Sequence, residues 1–365
     1  MSEWQTFCLK DLGKIVGGAT PSTNNPKNYG NKIAWITPKD LSTLQGRYIE
    51  KGNRSISRLG FKSCSTFLLP KHAILFSVRA PIGYTAIISK RSCTDRGLMG
   101  LVPNKKIYFE FLYYLLKYHK DNISNMGVGT TFKGISKPAL GLFKVKIPPT
   151  YYEQQKIART LSILDQKIEN NHKINELLHN LAYKIYEYYF KYKPKNAKLE
   201  QIIIENPKSN IMVKNAQKTQ DKYPFFTSGD NILSYPKAII DGRNCFLNTG
   251  GNAGIKFYVG KASYSTDTWC ICANEFSDYL YLLLSSIKTH INQSFFQGTS
   301  LKHLQKNLFK KYPIYMPSAH EIKKFNQIIM PLLTLISINT RTSKKLEQIR
   351  DFLLPLLLTQ QVKPQ

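Results

Sequence analysis

At 365 residues the chain exceeds what one ordinary core organises, so two or more domains are expected. Hydrophobic residues make up 42%, too many for a disordered chain, and a net charge of +29 is more than a small-molecule enzyme needs. "MSEWQTFCLKDLGK" lacks the apolar run of a signal peptide, and "IIMPLLTLISI" and "DFLLPLLLT" are each about half a membrane span, so no membrane segment is expected.

In chain order, residues 1–150 read as a first globular domain and hold 23 basic against 7 acidic residues. Its Gly-rich stretch 17–25, "GGATPSTNN", suits either a backbone cradle for a phosphate or a plain turn. "QGRYIEKGNRSISRLG" (45–60) has turn chemistry and is expected to be loop. "FKVKIP" (143–148) alternates and ends in Pro, as a strand leaving a domain does. A long helix is expected over 151–193, a second globular domain over 194–317 with 15 basic and 8 acidic residues, and a further long helix over 318–365. Most of the excess charge thus lies in two globular segments, the distribution of a polyanion binder with two binding domains.

The second half repeats the first. "GTTFKGI" (129–135) returns as "GTSLKHL" (298–304), and "FKVKIP" meets "YPIYMP" (312–317) at the same offset. Upstream, Thr37 and Asp40 match Thr227 and Asp230, Gly83 matches Gly254, and "CTD" (93–95) matches "STD" (265–267). The falling offset gives the first domain an insertion between 41 and 83.

The helices carry a heptad seam. In the first it runs Ile157, Leu161, Leu164, Ile168, Asn171, Asn175, Leu178, Ala182, Ile185, Tyr189. In the second it runs Phe325, Ile329, Leu332, Ile336, Asn339, Ser343, Leu346, Arg350, Leu353, Leu357. Each helix would be roughly 60 Å long at the usual rise per residue. Paired antiparallel, the seams set Asn175 against Asn339 and Asn171 against Ser343, a polar layer that fixes register; the alternative, asparagines facing solvent where the seam drifts, stays open. The fold class expected is therefore α+β: two globular domains joined by two long antiparallel helices in a coiled coil, with pseudo-twofold internal duplication. Two similar reading domains held apart by a spacer fit a split, non-palindromic duplex site.

Six cysteines show no zinc spacing and read as reduced thiols of a cytoplasmic protein. "GIKFYVGKAS" (254–263) imitates a P-loop but has Ala262 where Ser or Thr should hold magnesium, and reads as a strand and its turn. "IPPTYY" (147–152) lacks the leading Asn or Asp of a methyltransferase motif. No catalytic constellation, metal site or cofactor is expected.

"GKIVGGATPSTNNPKNYGNKIAWITPKDL" (13–41) and "KVKIPPTYYEQQKIARTLSILDQKI" (144–168) resemble the specificity subunits of type I restriction–modification systems, and the order domain, helix, domain, helix matches throughout. The second domain departs more, with "ENPKSN" (205–210) in place of the Gly-Gly-Thr-Pro loop. The resemblance implies two target recognition domains that each read half of a bipartite double-stranded DNA site. It also implies helices that space them and dock methyltransferase subunits, with motor-nuclease subunits joining the restricting complex. A stand-alone DNA-binding protein and a basic scaffold are the alternatives. Leu177, Leu181, Tyr188, Leu333, Leu335 and Leu356 lie off the seam, which fits docking of partners or packing on the helix's own domain. Candidate DNA contacts, chosen as Arg or Lys near polar loops, are Lys39, Arg54, Arg58, Arg79, Arg96 and Lys133, and Lys218, Lys222, Arg243, Lys256, Lys261 and Lys302. Arg79 and Arg243 are favoured for lying near the matched glycines.

Overall fold

A computed structural model describes residues 3–128, 133–216 and 222–364. They form two compact units, Met1–Asn170 with Ser343–Gln365, and Asn171–Thr342. The longer helices are α1 (Phe109–Tyr118), α2 (Tyr151–Tyr186), α3 (Ser277–Ser286) and α4 (Ala319–Leu358). Both long helices start at sequence signals. Thr150 follows two prolines and its Oγ1 accepts from the Glu153 N–H. Ser318 and Glu321 form a reciprocal cap, side chain to backbone in both directions.

The first unit carries β1 (Gln5–Cys8), β2 (Gly13–Gly17), β3 (Tyr29–Ile36), β4 (Tyr48–Ile49), β5 (Arg54–Ile56), β6 (Ile74–Ser77), β7 (Thr85–Ile88), β8 (Cys93–Thr94), β9 (Leu98–Pro103) and β10 (Lys144–Ile147). One sheet has the order β2-β9-β6-β7-β4, a second β5-β3-β8, and β1 pairs with β10. The run Ile74-Leu75-Phe76 is apolar throughout because both faces of β6 are covered. Ile74 and Phe76 enter the core under Phe111, Leu112 and Leu115 of α1, where Ile157 and Leu161 of α2 and Leu354 and Leu357 of α4 also pack. Leu75 points the other way, with Ala86 and Ile88, against Ile36 of the second sheet.

The second unit carries β11 (Ala197–Lys198), β12 (Ile204–Glu205), β13 (Tyr223–Phe226), β14 (Leu233–Tyr235), β15 (Arg243–Asn248), β16 (Ile255–Val259), β17 (Ser263–Tyr264), β18 (Thr268–Cys272), β19 (Phe296–Gln297), β20 (His303–Leu304) and β21 (Pro313–Ile314). Its sheets are β12-β18-β15-β16 and β14-β13-β17, the same connectivity as the first unit without an equivalent of β4. Cys245 and Leu247 of β15 face the core under Tyr279, Leu280 and Leu283 of α3, while Phe246 faces Phe226 and Tyr264 across the sheets. The P-loop imitation is β16 and the turn at Gly260, a strand and its turn.

Several sequence expectations change here. The insertion between 41 and 83 is not simply loop: it holds β4, which extends the sheet, and a short helix, Arg58–Lys62. Two-residue strands and single turns leave no periodicity to read. The compact units also divide both long helices, because each helix half buries its apolar face against the globular part beside it. For the same reason the seam drifts at the end of α2. There Ala182, Tyr186 and Phe190 are buried rather than Ile185 and Tyr189, and the last turn widens into a π-turn over Glu187–Lys191. A helix packed on a globular core buries a wider stripe than a two-helix seam. Leu333, placed off the seam by spacing, is likewise core at 1% exposure.

Where the long helices meet, they run antiparallel. Within the second unit Tyr189 touches Phe325 and the Asn339 amide donates to Asn175 Oδ1 at 2.9 Å. Asn175 in turn donates to Thr340 Oγ1 at 3.3 Å, so the asparagine layer is satisfied. Within the first unit Arg350 pairs with Asp165 at 2.7 Å, and Tyr114 of α1 donates to the same carboxylate. Arg47, 3% exposed, joins Glu110 of α1 to Glu169 of α2 at 3.1 and 3.0 Å. Among the described residues no helix is long and apolar enough to cross a membrane.

Candidate nucleic-acid interface

The recurring heptapeptides occupy one place in each unit. Val128 bridges Gly134 and Arg79 bridges Gly134; in the second unit Gln297 of β19 pairs with His303 of β20, and Gly250 bridges His303. Among the described residues, each unit thus has a short antiparallel pairing at the repeat, Val128 with Gly134 or Gln297 with His303, laid against the loop that joins β6 to β7 or β15 to β16. Gly298 explains why glycine opens the motif: its φ is +141°, and a Cβ there would lie 2.3 Å from the Leu301 carbonyl oxygen.

Strand pairing corrects two of the sequence matches. Ser77 pairs with Leu98 as Asn248 pairs with Thr268, so Ser77 and Asn248 are equivalent. Ser77 N–H donates to the Tyr84 carbonyl and Asn248 N–H to that of Gly254, so Gly254 stands where Tyr84 does and the first loop is one residue longer. Similarly the Asp95 N–H donates to the Ile36 carbonyl and the Ser265 N–H to that of Phe226, which aligns Asp95 with Ser265 and displaces the "CTD"/"STD" match by two.

In the first unit, main-chain hydrogen bonds draw one set of loops together. Val78 donates to Gly97, Ile135 to Val78, Gly18 to Leu98 and Ala19 to Thr94. Arg79, Arg96 and Lys133 stand exposed on these loops, and Lys39 follows Pro38, which touches Gly97. Burial pushes the Asp95 carboxyl up, although the Gly97 N–H and the charges of Arg79 and Arg96 act the other way. Arg54 lies opposite Trp35 and over the Tyr29 ring. Arg58 opens the short helix Arg58–Lys62, whose cap Ser57 donates to the Lys27 and Asn28 carbonyls. The loop 17–25 is no phosphate cradle at its start: the Gly18 and Ala19 N–H groups are consumed internally, and the Ala19, Pro21 and Ser22 carbonyls accept from Trp35, Tyr29 and Asn28.

The second unit builds the equivalent end from different chemistry. Ser228 donates to the Asp267 carbonyl, Thr249 N–H to Ser228 Oγ, and Gly251 N–H to the Lys302 carbonyl. Lys302 stands exposed there beside His303, Asn252 and Leu301. Lys222 and Lys261 do not: Lys222 opens the far end of β13, and Lys261 lines a shallow cleft with Tyr223, Lys237 and Asp241. Lys218 lies outside the described residues.

Two of the candidate cations are internal. Arg243 forks onto Asp278 and donates to Thr334 Oγ1 and the Met330 carbonyl, pinning β15 to α3 and α4. Its position near a glycine put it among the expected contacts; a carboxylate 35 residues away, invisible to local reading, takes its donors instead. Lys256 donates to the Thr227 carbonyl at 2.9 Å and to Asn248 Oδ1 at 3.0 Å. The neutral groups Ser228, Asn252 and His303 give no charge signal in the sequence, and a reading by Arg and Lys alone misses them.

On α2, Ile174, Leu177, Leu181 and Tyr188 are exposed at spacings of one helical face, Leu177 at 68% and Tyr188 at 86%. Ile328, Leu335 and Ile338 do the same on α4, while Leu356 is half-buried.

A family model described as type I restriction modification DNA specificity domain matches residues 1–180 and 195–348. The chain is 29% identical over 403 residues to the type I restriction enzyme MjaIX specificity subunit of Methanocaldococcus jannaschii, covering 98% of this chain and 93% of that one. A putative type I specificity subunit of Mycoplasma genitalium is 23% identical over 329 residues, covering 84% and 80%. The solved S subunit of a type I restriction–modification system from M. genitalium shares the fold, with a TM-score of 0.65 at 17% identity over 97% of this chain and 96% of that one. Matched by that model over most of its length, and in the same duplicated architecture, the chain belongs to the type I restriction–modification DNA specificity family.

Proposed function

We propose that this type I specificity subunit reads a bipartite, non-palindromic double-stranded DNA site, each unit reading one half through its loop cluster. The observation that carries the reading is the repetition, in both units, of one strand order ending in the same loops with different side chains. Arg79, Arg96, Lys133, Lys39 and Arg54 supply phosphate and guanine-edge contacts in the first unit. Lys302 with Ser228, Asn252 and His303 supplies a less charged surface in the second. The long helices set the gap between half-sites. The protein performs no chemistry alone; methyltransferase subunits dock on it, and motor-nuclease subunits complete the restricting assembly in the cytoplasm.

Selection from a randomised duplex library at near-physiological salt, with and without a co-encoded methyltransferase subunit, tests this. A split motif with constant gap is the expected outcome. Binding without sequence preference in both arms would leave only a basic scaffold, and a motif indifferent to the subunit would favour a stand-alone binder.

The exposed faces of α2 and α4 are the proposed docking surface for the methyltransferase. Leu177→Asp with Leu181→Asp should keep the melting temperature and lower affinity for that subunit by at least about 2 kcal/mol, the scale of an interface hot spot. Unchanged affinity by calorimetric titration would remove this face from the interface.

A further inference from the structure

Lys256 occupies a position where the first unit places an apolar side chain. It lies directly across from Phe246 in the β15–β16 ladder, on the face turned toward the second sheet. The corresponding cross-strand pair of the first unit is Leu75 with Ala86, both fully buried. Among the described residues no carboxylate lies within ion-pair distance of Lys256; its ammonium is held by a carbonyl and an amide oxygen. Burial pushes its pKa down. The Asp230 charge acts the other way without forming a direct ion pair, so keeping this cation in the layer costs stability.

The two acceptors tell what the cation does. The Thr227 carbonyl lies one residue past β13, at the start of the loop 227–232, and Asn248 ends β15, where the loop 249–254 departs. Asn248 Nδ2 donates to the Asn252 carbonyl at 3.1 Å, across its own loop. With Lys256 on Oδ1, the carboxamide cannot flip without setting NH₂ against NH₃⁺, so one orientation is fixed. Gly254 leaves room for this arrangement: a Cβ there would stand 2.3 Å from Asn248 Nδ2. Ser77 does the equivalent work in the first unit, donating to the Pro81 carbonyl at 2.9 Å and accepting from the Tyr84 N–H, but no lysine supports it.

We propose that Lys256 is a positioning residue for target recognition, locking Asn248 and the Thr227 carbonyl so that the two loops of the second unit hold one spacing. This rests on the reading that those loops meet DNA. Lys256 therefore serves specificity at one half-site without itself touching a base.

The test compares full-length wild type, Lys256→Met and Lys256→Arg in randomised-duplex selection, and follows amide exchange of residues 227–231 and 249–254 in the free protein. Lys256→Met should lose roughly tenfold discrimination at the second half-site, the scale of one base-edge hydrogen-bond pair, with the first half-site unchanged. Loop exchange should rise about tenfold or more, and the arginine should restore part of both. A drop in salt dependence by about one phosphate with the motif intact would make Lys256 a phosphate contact instead and overturn the proposal. So would unchanged exchange, or equal loss at both half-sites. A wild type that selects no motif would overturn the recognition reading itself, which the exchange measurement does not depend on.

Discussion

Replacing Arg243 by Ala should destabilise the second unit by roughly 3–5 kcal/mol, the usual consequence of leaving one member of a buried ion pair alone. Its partner Asp278 has a side chain 2% exposed, and Arg243 itself is 17% exposed. Burial already holds the Asp278 carboxyl above its ordinary value, with the guanidinium pulling the other way. A carboxyl raised in the folded state binds protons more readily there than in the unfolded chain, so its contribution to stability falls as pH rises above about 4. Without Arg243 that dependence should steepen: the variant's deficit is largest near neutrality and shrinks on acidification. Urea unfolding across a pH series checks it, and a deficit independent of pH would mean the carboxylate finds another partner. Replacing both residues by apolar groups of similar size should recover much of the loss.

The exposed cations of the first unit should behave in the opposite way. Arg79→Ala, Arg96→Ala and Lys133→Ala combined should leave the melting temperature within a degree or two while removing recognition of one half-site. Removing a guanine-reading side chain costs about 1–3 kcal/mol, and removing a phosphate-binding one lowers the salt slope by about one. Selection with the triple variant should return the second half-site alone. Retention of the full motif would move the reading surface elsewhere on the unit.

These contrasts mark what a linear sequence discloses. The heptapeptide repeat and the strand before each long helix were legible because Gly298 and the Thr150 and Ser318 caps are local requirements of backbone geometry. The asparagine layer followed from heptad arithmetic, and Asn175 does meet Asn339. Arg243 and Arg79 look alike in sequence, each beside a turn, and only Asp278 separates them. The register of β6 against β15 likewise required strand pairing, since a slip of one or two residues in a weak match costs nothing on paper and can reverse a side chain's face in the sheet.

The bridges that seat each ribbon on its central loop, Arg79 with Gly134 and Gly250 with His303, are made by main-chain atoms. Side chains at those four positions differ between the units while the seating persists. The seating of each ribbon thus asks nothing of the side chains at these four positions, and substitution at them leaves that attachment in place. On the recognition reading proposed above, target preference can change at such positions while the ribbon keeps its seat.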